Sequence, residues 1–208
     1  MTEKNQIFRE KQKFFDLWAR TYDLIPTTIF YQTIHRRLLS YVVLPSPCLV
    51  LDVGCGTGKL LNLLAARYPQ LKGIGLDLSP EMLKQARKAN RHHPRLIFVG
   101  GNAENLPFAD NQFDAVFNTI SFLHYPNPEA VFQEVARVLK PGGYFYLADY
   151  IAKETQNTVS ISPGKIRFYS AKKREEMATS SGLLTVSHPY LFANVVLSIF
   201  HKNHWFKN

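Results

Sequence analysis

The stretch "LVLDVGCGTGKL" (residues 49–60) decides the fold, because an apolar run reaches an acid and then breaks into alternating glycines. The apolar residues predict a buried strand with Asp52 near its end, and the residues after the glycines predict a helix. Gly54, Gly56 and Gly58 allow positive φ angles and leave no Cβ in the way of a ligand. Because ligands of α/β sheets bind beyond the carboxyl ends of the strands, we expect a nucleotide-like ligand at this turn.

The charge of the turn indicates which ligand it would take. The dinucleotide fingerprint is G-x-G-x-x-G with a later acid, whereas this chain has G-x-G-x-G and its acid, Asp52, comes first. A carboxylate repels a diphosphate but attracts an ammonium or a sulfonium group, and S-adenosylmethionine carries both cations. Asp77, 19 positions after Gly58, ends the next predicted strand, where a carboxylate can accept both ribose hydroxyls.

Alternating apolar runs and helical patterns follow along the chain. Asn127-Pro128 and Ser79-Pro80 each predict a helix start, because the side chain can cap the helix and proline suits its first position. Strand and helix in alternation predict right-handed βαβ units and a parallel sheet with helices on both faces. The five predicted strands are centred on residues 50–53, 73–76, 96–99, 115–117 and 144–147.

The pattern changes after the fifth strand. A helix is predicted from about Ser170 to Ser181, and two strand-like runs, Leu183–Phe192 and Val195–Lys202, then predict an antiparallel hairpin around two residues. Residues 6–43 predict two helices broken at Ile25-Pro26.

Composition indicates one soluble domain. The chain has 208 residues, 46% of them hydrophobic, and its apolar runs are far shorter than the ~20 residues that span a bilayer. With a polar start and no secretory pattern, we expect a cytoplasmic protein. Cys48 and Cys55 flank one predicted strand, too far apart for a disulfide, so we expect reduced thiols.

The formal net charge of +9 suits RNA, an anionic membrane surface or an acidic substrate. The basic runs at residues 88–95 and 165–174 are separated and match no nucleic-acid motif, which favours the alternative that they are solvated surface.

Four motifs carry a family resemblance. "LDVGCGTGKLL", "GIGLDLSPEMLKQA", "GNAENLPFADNQFDAVF" and "VARVLKPGGYFYLADY", within residues 47–150, resemble the class I S-adenosylmethionine-dependent methyltransferases with a type 11 domain. The similarity is to the subgroup that includes the ubiquinone and menaquinone biosynthesis C-methyltransferases. "FFDLWARTYD" (14–23) also resembles the segment before the core of that subgroup.

The resemblance implies a fold and an organisation. The fold is a Rossmann-like doubly wound α/β sheet, mostly parallel, with strand order 3-2-1-4-5-7-6, a C-terminal antiparallel hairpin and an N-terminal helical lid. We expect one domain over residues 1–208, made of N-terminal helices (1–46), a cofactor-binding core (47–150) and a C-terminal helix with the hairpin (151–208).

The resemblance also implies which residues bind S-adenosyl-L-methionine. The glycine turn and its preceding acid hold the methionine end, the second acid holds the ribose, and the later turns border the adenine and the methionine–substrate junction. Asn102 stands where the family usually has Asp, and a neutral amide oxygen makes a weaker contact. The implied cofactor-binding residues are Asp52, Gly54, Cys55, Gly56, Gly58, Asp77, Leu78, Asn102, Ala103, Glu104 and Asn118.

Methyl transfer needs alignment of the acceptor and exclusion of water, and it needs a base only if the acceptor must lose a proton. His124 in "SFLHY" is the candidate base, and the alternative is a pocket wall. Tyr22 resembles a tyrosine on a mobile N-terminal helix of that subgroup. The alternative is that Tyr22 is an aromatic residue of the core. Asp149 would orient a base or lie on the rim. No cluster of carboxylates has the spacing of a set of Mg²⁺ ligands, so we expect no metal.

The acceptor class depends on fewer signals. "FNTISF" replaces the N-P-P-Y-like segment of amino-directed nucleic-acid methyltransferases, and neither cysteine lies on the acceptor side, which argues against nucleic acid. Several aromatic and aliphatic residues suit a small lipophilic or aromatic acceptor such as a quinone, with core packing as the alternative: Phe14, Phe15, Trp18, Ile29, Phe30, Phe122, Phe168 and Tyr169. An RNA methyltransferase, a non-catalytic S-adenosylmethionine-binding protein and, more distantly, an NAD-dependent oxidoreductase remain as alternatives.

Overall fold

A computed structural model describes residues 9, 12–13, 16, 25–153, 158–161 and 166–203. Within this part of the chain the helices and strands alternate as far as the fifth strand. The helices are α1 (Ile25–Leu39), α2 (Lys59–Arg67), α3 (Pro80–Ala89), α4 (Pro128–Val138) and α5 (Ala171–Ser180), with a short 3₁₀ helix at Phe122–His124. The strands are β1 (Cys48–Val53), β2 (Leu71–Asp77), β3 (Leu96–Gly100), β4 (Phe113–Thr119), β5 (Leu139–Tyr150), β6 (Thr158–Ile161), β7 (Ile166–Tyr169), β8 (Leu183–Ser187), β9 (Tyr190–Phe192) and β10 (Val195–Lys202).

The main sheet has the order β3-β2-β1-β4-β5-β10-β8, with β9 also paired to β10. The strands from β3 to β5 are mutually parallel, and β10 is antiparallel to its neighbours. The predicted doubly wound sheet and its strand order are therefore confirmed. Since β1 lies between β2 and β4, Asp52 is in register with Gly75 on one side and Phe117 on the other.

Two hydrophobic cores cover the two faces of this sheet. Successive residues of a strand point to opposite faces, so Val50 belongs to one core and Leu51 to the other. The first core contains residues of α1, α2 and α3, and the second contains residues of α4 and α5. Helices thus lie on both faces, as predicted, and the carboxyl ends of the parallel strands stay available for a site.

The predicted helix caps are confirmed. The Ser79 side chain accepts a hydrogen bond from the Met82 N–H, and the Asn127 side chain accepts one from the Ala130 N–H. Each cap is followed by a proline at the first turn. These starts fix where α3 and α4 leave the edge of the sheet that carries the ligand-binding turns.

The C-terminal region differs in part from the prediction. The run predicted as one strand, Leu183–Phe192, is two strands, β8 and β9, separated around Pro189. Proline has no N–H to donate to a ladder. The register of β10 is irregular in each pairing, between Ile199 and Phe200 opposite β8 and between Val195 and Val196 opposite β9. The two-residue hairpin turn between β9 and β10 is confirmed, and the β6–β7 hairpin was not predicted.

The N-terminal region is described only in part. Residues 25–39 form one helix that begins at the predicted Ile25-Pro26 break. Of the segment before it, the structure describes Arg9, Gln12, Lys13 and Asp16. The rest of the predicted lid, including Tyr22, lies outside the described residues.

Candidate functional site

The glycine turn joins β1 to α2 in the predicted place. Gly54, Gly56 and Gly58 all have positive φ angles, of 72°, 52° and 75°. A Cβ at Gly54 would lie 2.4 Å from Ser121 Oγ, so packing alone requires a glycine there. A Cβ at Gly56 would meet nothing within 4 Å, so this part of the turn borders open space that a ligand can enter.

Asp77 fastens the glycine turn to the end of β2. Its Oδ2 accepts a hydrogen bond from the Gly56 N–H at 2.8 Å, and its Oδ1 accepts one from the Ser79 N–H at 2.9 Å. Burial raises the pKa of the Asp77 carboxyl, and these N–H groups lower it in part. Each carboxylate oxygen accepts a second hydrogen bond readily, so Asp77 can bind a hydroxyl donor and hold the turn together.

Asp52 is the most perturbed acid of this region. It is 2% exposed at the end of β1, and burial, followed by the negative charge of Asp77, raises its pKa to about 8. A carboxyl in such surroundings ionises more readily when a cation lies beside it. The pair of acids therefore favours a positively charged ligand over a phosphate.

Unpaired polar atoms gather at the ends of β1 and β4. Asn118 Nδ2 donates to the Val53 carbonyl at 2.9 Å and to Tyr125 Oη at 2.8 Å, while its buried Oδ1 finds no partner within the described residues. The buried Oγ1 atoms of Thr57 and Thr119 likewise have no partner in that part of the chain. Most buried polar atoms in proteins are paired, so these atoms indicate a missing polar ligand or water.

The residues present therefore fit S-adenosylmethionine. Asp52 offers a buried negative charge to its cationic groups, Asp77 offers acceptors for hydroxyls, and Gly56 leaves open space beside both. A cavity of about 20 Å³, room for about one water, lies between Asp52, Thr57 and Thr119. These contacts remain predictions for the individual residues.

The candidate adenine-binding residues hold their own loops together. Asn102 Oδ1 accepts the Glu104 N–H at 2.9 Å, and Glu104 Oε1 accepts the Asn127 N–H at 2.8 Å. Ala103 is 5% exposed and belongs to the second core, and Leu78 is half-buried next to Asp77. Glu104 therefore supports the start of α4, a structural contact that its sequence position did not indicate.

Cys55 packs inside the glycine turn. Both cysteines are unpaired and buried, as expected for reduced thiols. Burial raises the pKa of the Cys55 thiol well above its usual value. A neutral, buried thiol is a poor nucleophile, so Cys55 fills space behind the turn.

His124 lies half-buried in the 3₁₀ helix that follows β4. The Asp149 carboxylate holds this helix, because its Oδ2 accepts the Leu123 N–H at 3.1 Å. Asp149 is 1% exposed, so the alternative that it lies on the rim is wrong. Burial raises its pKa to about 6. The role of His124 as a base remains a prediction.

Arg174 was missed by the sequence analysis, which treated the basic run at 165–174 as solvated surface. It is fully buried, and its guanidinium donates to the carbonyl oxygens of Asp149, Tyr150 and Val196 and to Ser198 Oγ. Its partners are distant in sequence, so no local pattern signals this position.

The candidate acceptor-side residues differ in their surroundings. Phe30 stacks on Tyr150 with ring centroids 6.2 Å apart, and Phe168 meets the same ring edge-on at 5.9 Å. Phe122 and Tyr169 are buried core residues, as the alternative held, and Ile29 is exposed. Phe14, Phe15 and Trp18 lie outside the described residues.

One residue of the N-terminal segment reaches the site. The Ser79 hydroxyl donates to Asp16 Oδ1 at 2.5 Å, two residues from Asp77. The negative charge of Asp16 also contributes to the raised pKa of Asp77. Asp16 therefore lies next to the end of β2 that carries Asp77.

The described residues contain neither a membrane-spanning helix nor a cluster of metal ligands. No helix there is long and apolar enough to cross a bilayer. No group of three or more His, Cys, Asp or Glu side chains in the same residues is placed to hold a metal ion.

Comparison with known proteins finds a matching domain in the central part of the chain. Residues 51–147 match the model of a methyltransferase domain. The malonyl-[acyl-carrier protein] O-methyltransferase of Marinomonas sp. is 35% identical over 136 residues, 65% of this chain and 50% of that protein. The fatty-acid O-methyltransferase of Mycolicibacterium smegmatis is 45% identical over 101 residues, 48% of this chain and 36% of that protein. The chain thus spans half or less of these two relatives.

Further similarities agree with the subgroup and the fold. The demethylmenaquinone methyltransferase of Thermotoga maritima is 30% identical over 151 residues, 71% of this chain and 65% of that protein. A chain from the complex of the Haloferax volcanii Trm112 methyltransferase activator with a methyltransferase has a TM-score of 0.77 at 24% identity, covering 91% of this chain and 98% of that one. The [4+2]-cyclase SpnF has a TM-score of 0.73 at 20% identity, and the match covers 82% of this chain and 80% of SpnF. At these sequence identities, the similarity of the two solved structures shows only that the fold is shared.

Proposed function

We propose that this chain is an S-adenosylmethionine-dependent methyltransferase that transfers a methyl group to a small lipophilic or aromatic acceptor. The match of residues 51–147 to a methyltransferase domain supports this proposal. The observation that carries the proposal is the pair of acids at the glycine turn, of which Asp52 is buried and Asp77 is partly buried. Asp52 and Asp77 end neighbouring parallel strands, and Asp77 is bonded to the one glycine of the turn that borders open space.

Individual roles follow from chemistry. Asp52 and the glycine turn would hold the methionine end, where a buried negative charge stabilises cationic groups. Asp77 would accept hydrogen bonds from the ribose hydroxyls while it keeps its bonds to the turn. Asn118 Oδ1 would supply a further acceptor at the end of β4.

S-adenosylmethionine supplies, when bound, a methyl group on a sulfonium leaving group. The chain then has to orient the acceptor and exclude water, and it needs no covalent residue. His124 would accept a proton from an acceptor that must lose one, and Asp149 would fix the backbone next to it through the Leu123 N–H.

The acceptor class is supported by the rings around Tyr150 and by two relatives. Tyr150 ends β5 between Phe30 and Phe168, an aromatic group that suits a lipophilic ring or chain. The relatives named for a fatty acid and for demethylmenaquinone act on lipophilic molecules. A quinone-like ring, methylated on carbon or oxygen, is the acceptor to test first.

The test is a transfer assay with tritiated methyl donor against quinols, fatty acids, phenols and bulk RNA. We expect label in a small lipophilic acceptor, and Asp77→Ala should weaken S-adenosylmethionine binding by about 1–3 kcal/mol in calorimetry, the cost of unpaired hydroxyls. Lys72→Ala, an exposed change, is the matched control.

Two other outcomes would contradict the proposal. Label found only in RNA, with binding that falls steeply with salt, would assign the reaction to the basic surface of this +9 chain. Tight cofactor binding without transfer to any acceptor would indicate a non-catalytic protein of the same fold.

A further inference from the structure

A groove between α1, α2 and the residues after α3 has no part in the proposed reaction. Its volume is about 500 Å³, within the range of small-molecule sites. Leu63, Ala66 and Ala89 give it an apolar wall, and Arg36 and Arg91 lie at its edge. Arg91 belongs to the basic run at 88–95, which the proposed function does not use.

The charged residues that line the groove are all basic. Arg36 and Arg91 are exposed, and neither forms an ion pair within the described part of the chain. Lys59 lines the same groove, and no Asp or Glu occurs among the described residues that line it. Two exposed arginines beside an apolar wall are complementary to an anion that carries hydrocarbon.

The floor of the groove contains two buried polar groups. His35 is 6% exposed and Thr57 is 5% exposed, and His35 Nδ1 and Thr57 Oγ1 have no hydrogen-bond partner among the described residues. Burial, with the charge of Lys59 adding to it, lowers the pKa of His35 to about 4. A neutral imidazole can donate one N–H to an anion, and the N-terminus of α2 next to Thr57 adds a favourable dipole.

We propose that this groove binds an amphiphilic carboxylate, with the carboxylate against His35, Thr57 and the two arginines and the hydrocarbon chain along the apolar wall. The site is independent of the proposed methyl transfer, because Arg36, Arg91 and the apolar wall are absent from the residues assigned to the cofactor. His35 and Thr57 also line the small cavity at Asp52, so the test has to separate this site from the cofactor site.

The experiment titrates octanoate into the full chain by calorimetry, with and without saturating S-adenosylhomocysteine. We expect octanoate to bind in both cases, and octanol to bind at least about tenfold more weakly, because it lacks the charge. Arg36→Ala/Arg91→Ala should lower the octanoate affinity about tenfold or more, whereas Lys72→Ala, an exposed cation outside the groove, should not.

A second pair of variants tests the floor. His35→Phe removes the ring nitrogen and should lower octanoate affinity, and His35→Gln, which keeps a donor, should restore part of it. Three results would overturn the proposal: displacement of octanoate by S-adenosylhomocysteine, which would make the groove part of the cofactor site; equal binding of octanol; or binding of a short RNA or inorganic phosphate without octanoate.

Discussion

At the scale of single residues, the buried carboxyl of Asp52 lowers the stability of the folded protein when it ionises. Its pKa in the folded protein is about 8, above the usual value near 4, and burial is the main cause. A carboxyl with a raised folded pKa destabilises the folded state once it ionises. The free energy of unfolding therefore falls as the pH rises from about 4 through about 8, in the absence of a cationic ligand.

The variant Asp52→Asn should remove this pH dependence. Urea unfolding of the ligand-free protein at pH 5 and pH 8.5 should show that the wild type loses up to about 1.4 kcal/mol per pH unit relative to the variant, since the amide never ionises. Glu129→Gln, at an exposed acid, is the control and should follow the wild type. Parallel losses in wild type and Asp52→Asn would show that Asp52 ionises in the folded protein as it does in water.

The sequence predicts the positions of residues whose surroundings are set by their neighbours along the chain. The positions of Asp52 and Asp77 follow from an apolar strand, a glycine turn and the rule that ligands bind at strand ends. His35 and Arg174 could not be predicted in this way. The residues lining the cavities beside His35 include Thr57 and Lys59, more than 20 positions later, and Arg174 bonds carbonyl groups of β5 and β10.

At the scale of elements, two buried charged residues, Asp149 and Arg174, connect the 3₁₀ helix after β4 to the C-terminal strands. Asp149 holds the 3₁₀ helix after β4, and Arg174 of α5 holds the backbone of Asp149 and Tyr150. Burial raises the pKa of Asp149 to about 6 and lowers that of Arg174 to about 10, so the attraction between them does not offset their desolvation. Such pairs tolerate joint replacement better than the loss of one partner.

A double-mutant cycle tests this coupling. Asp149→Asn and Arg174→Met should each lower the free energy of unfolding by about 2–4 kcal/mol. Each substitution removes or weakens buried hydrogen bonds and leaves the other buried group without the opposite charge that partly offsets its burial. The double variant should be destabilised by less than the sum, with a coupling of about 0.5–3 kcal/mol measured by urea unfolding at pH 7.5. Strict additivity would show that the two side chains act independently.

Elements with local signals were predicted well, and elements without them were not. Ser79-Pro80 and Asn127-Pro128 gave the starts of α3 and α4 because a cap is a contact within three residues. The split of the run 183–192 depends on how β8 and β9 each pair with β10, which is decided by long-range register. The β6–β7 hairpin lies in a segment with no strong periodicity.

At the scale of the whole molecule, one sheet connects the two cores. The first core extends from α1 through β1 to β10, and the second from α4 through β5 to β10, so the same strands contribute to both. The turns proposed to bind the cofactor lie at the carboxyl ends of the central strands β1, β2 and β4. Unfolding of either core would expose the strands that carry these turns, which couples ligand binding to the stability of the whole sheet.

This coupling predicts a single transition that the cofactor shifts as a unit. Thermal and urea unfolding followed by far-ultraviolet and near-ultraviolet circular dichroism should coincide, because secondary structure and core packing are lost together. S-adenosylmethionine at 100 times its dissociation constant should raise the free energy of unfolding by about 2.7 kcal/mol in both signals. Asp77→Ala at the same ligand concentration should show a smaller shift without separating the two curves. Two transitions, of which the ligand moves only one, would instead mean that residues 151–208 unfold independently of the cofactor-binding core.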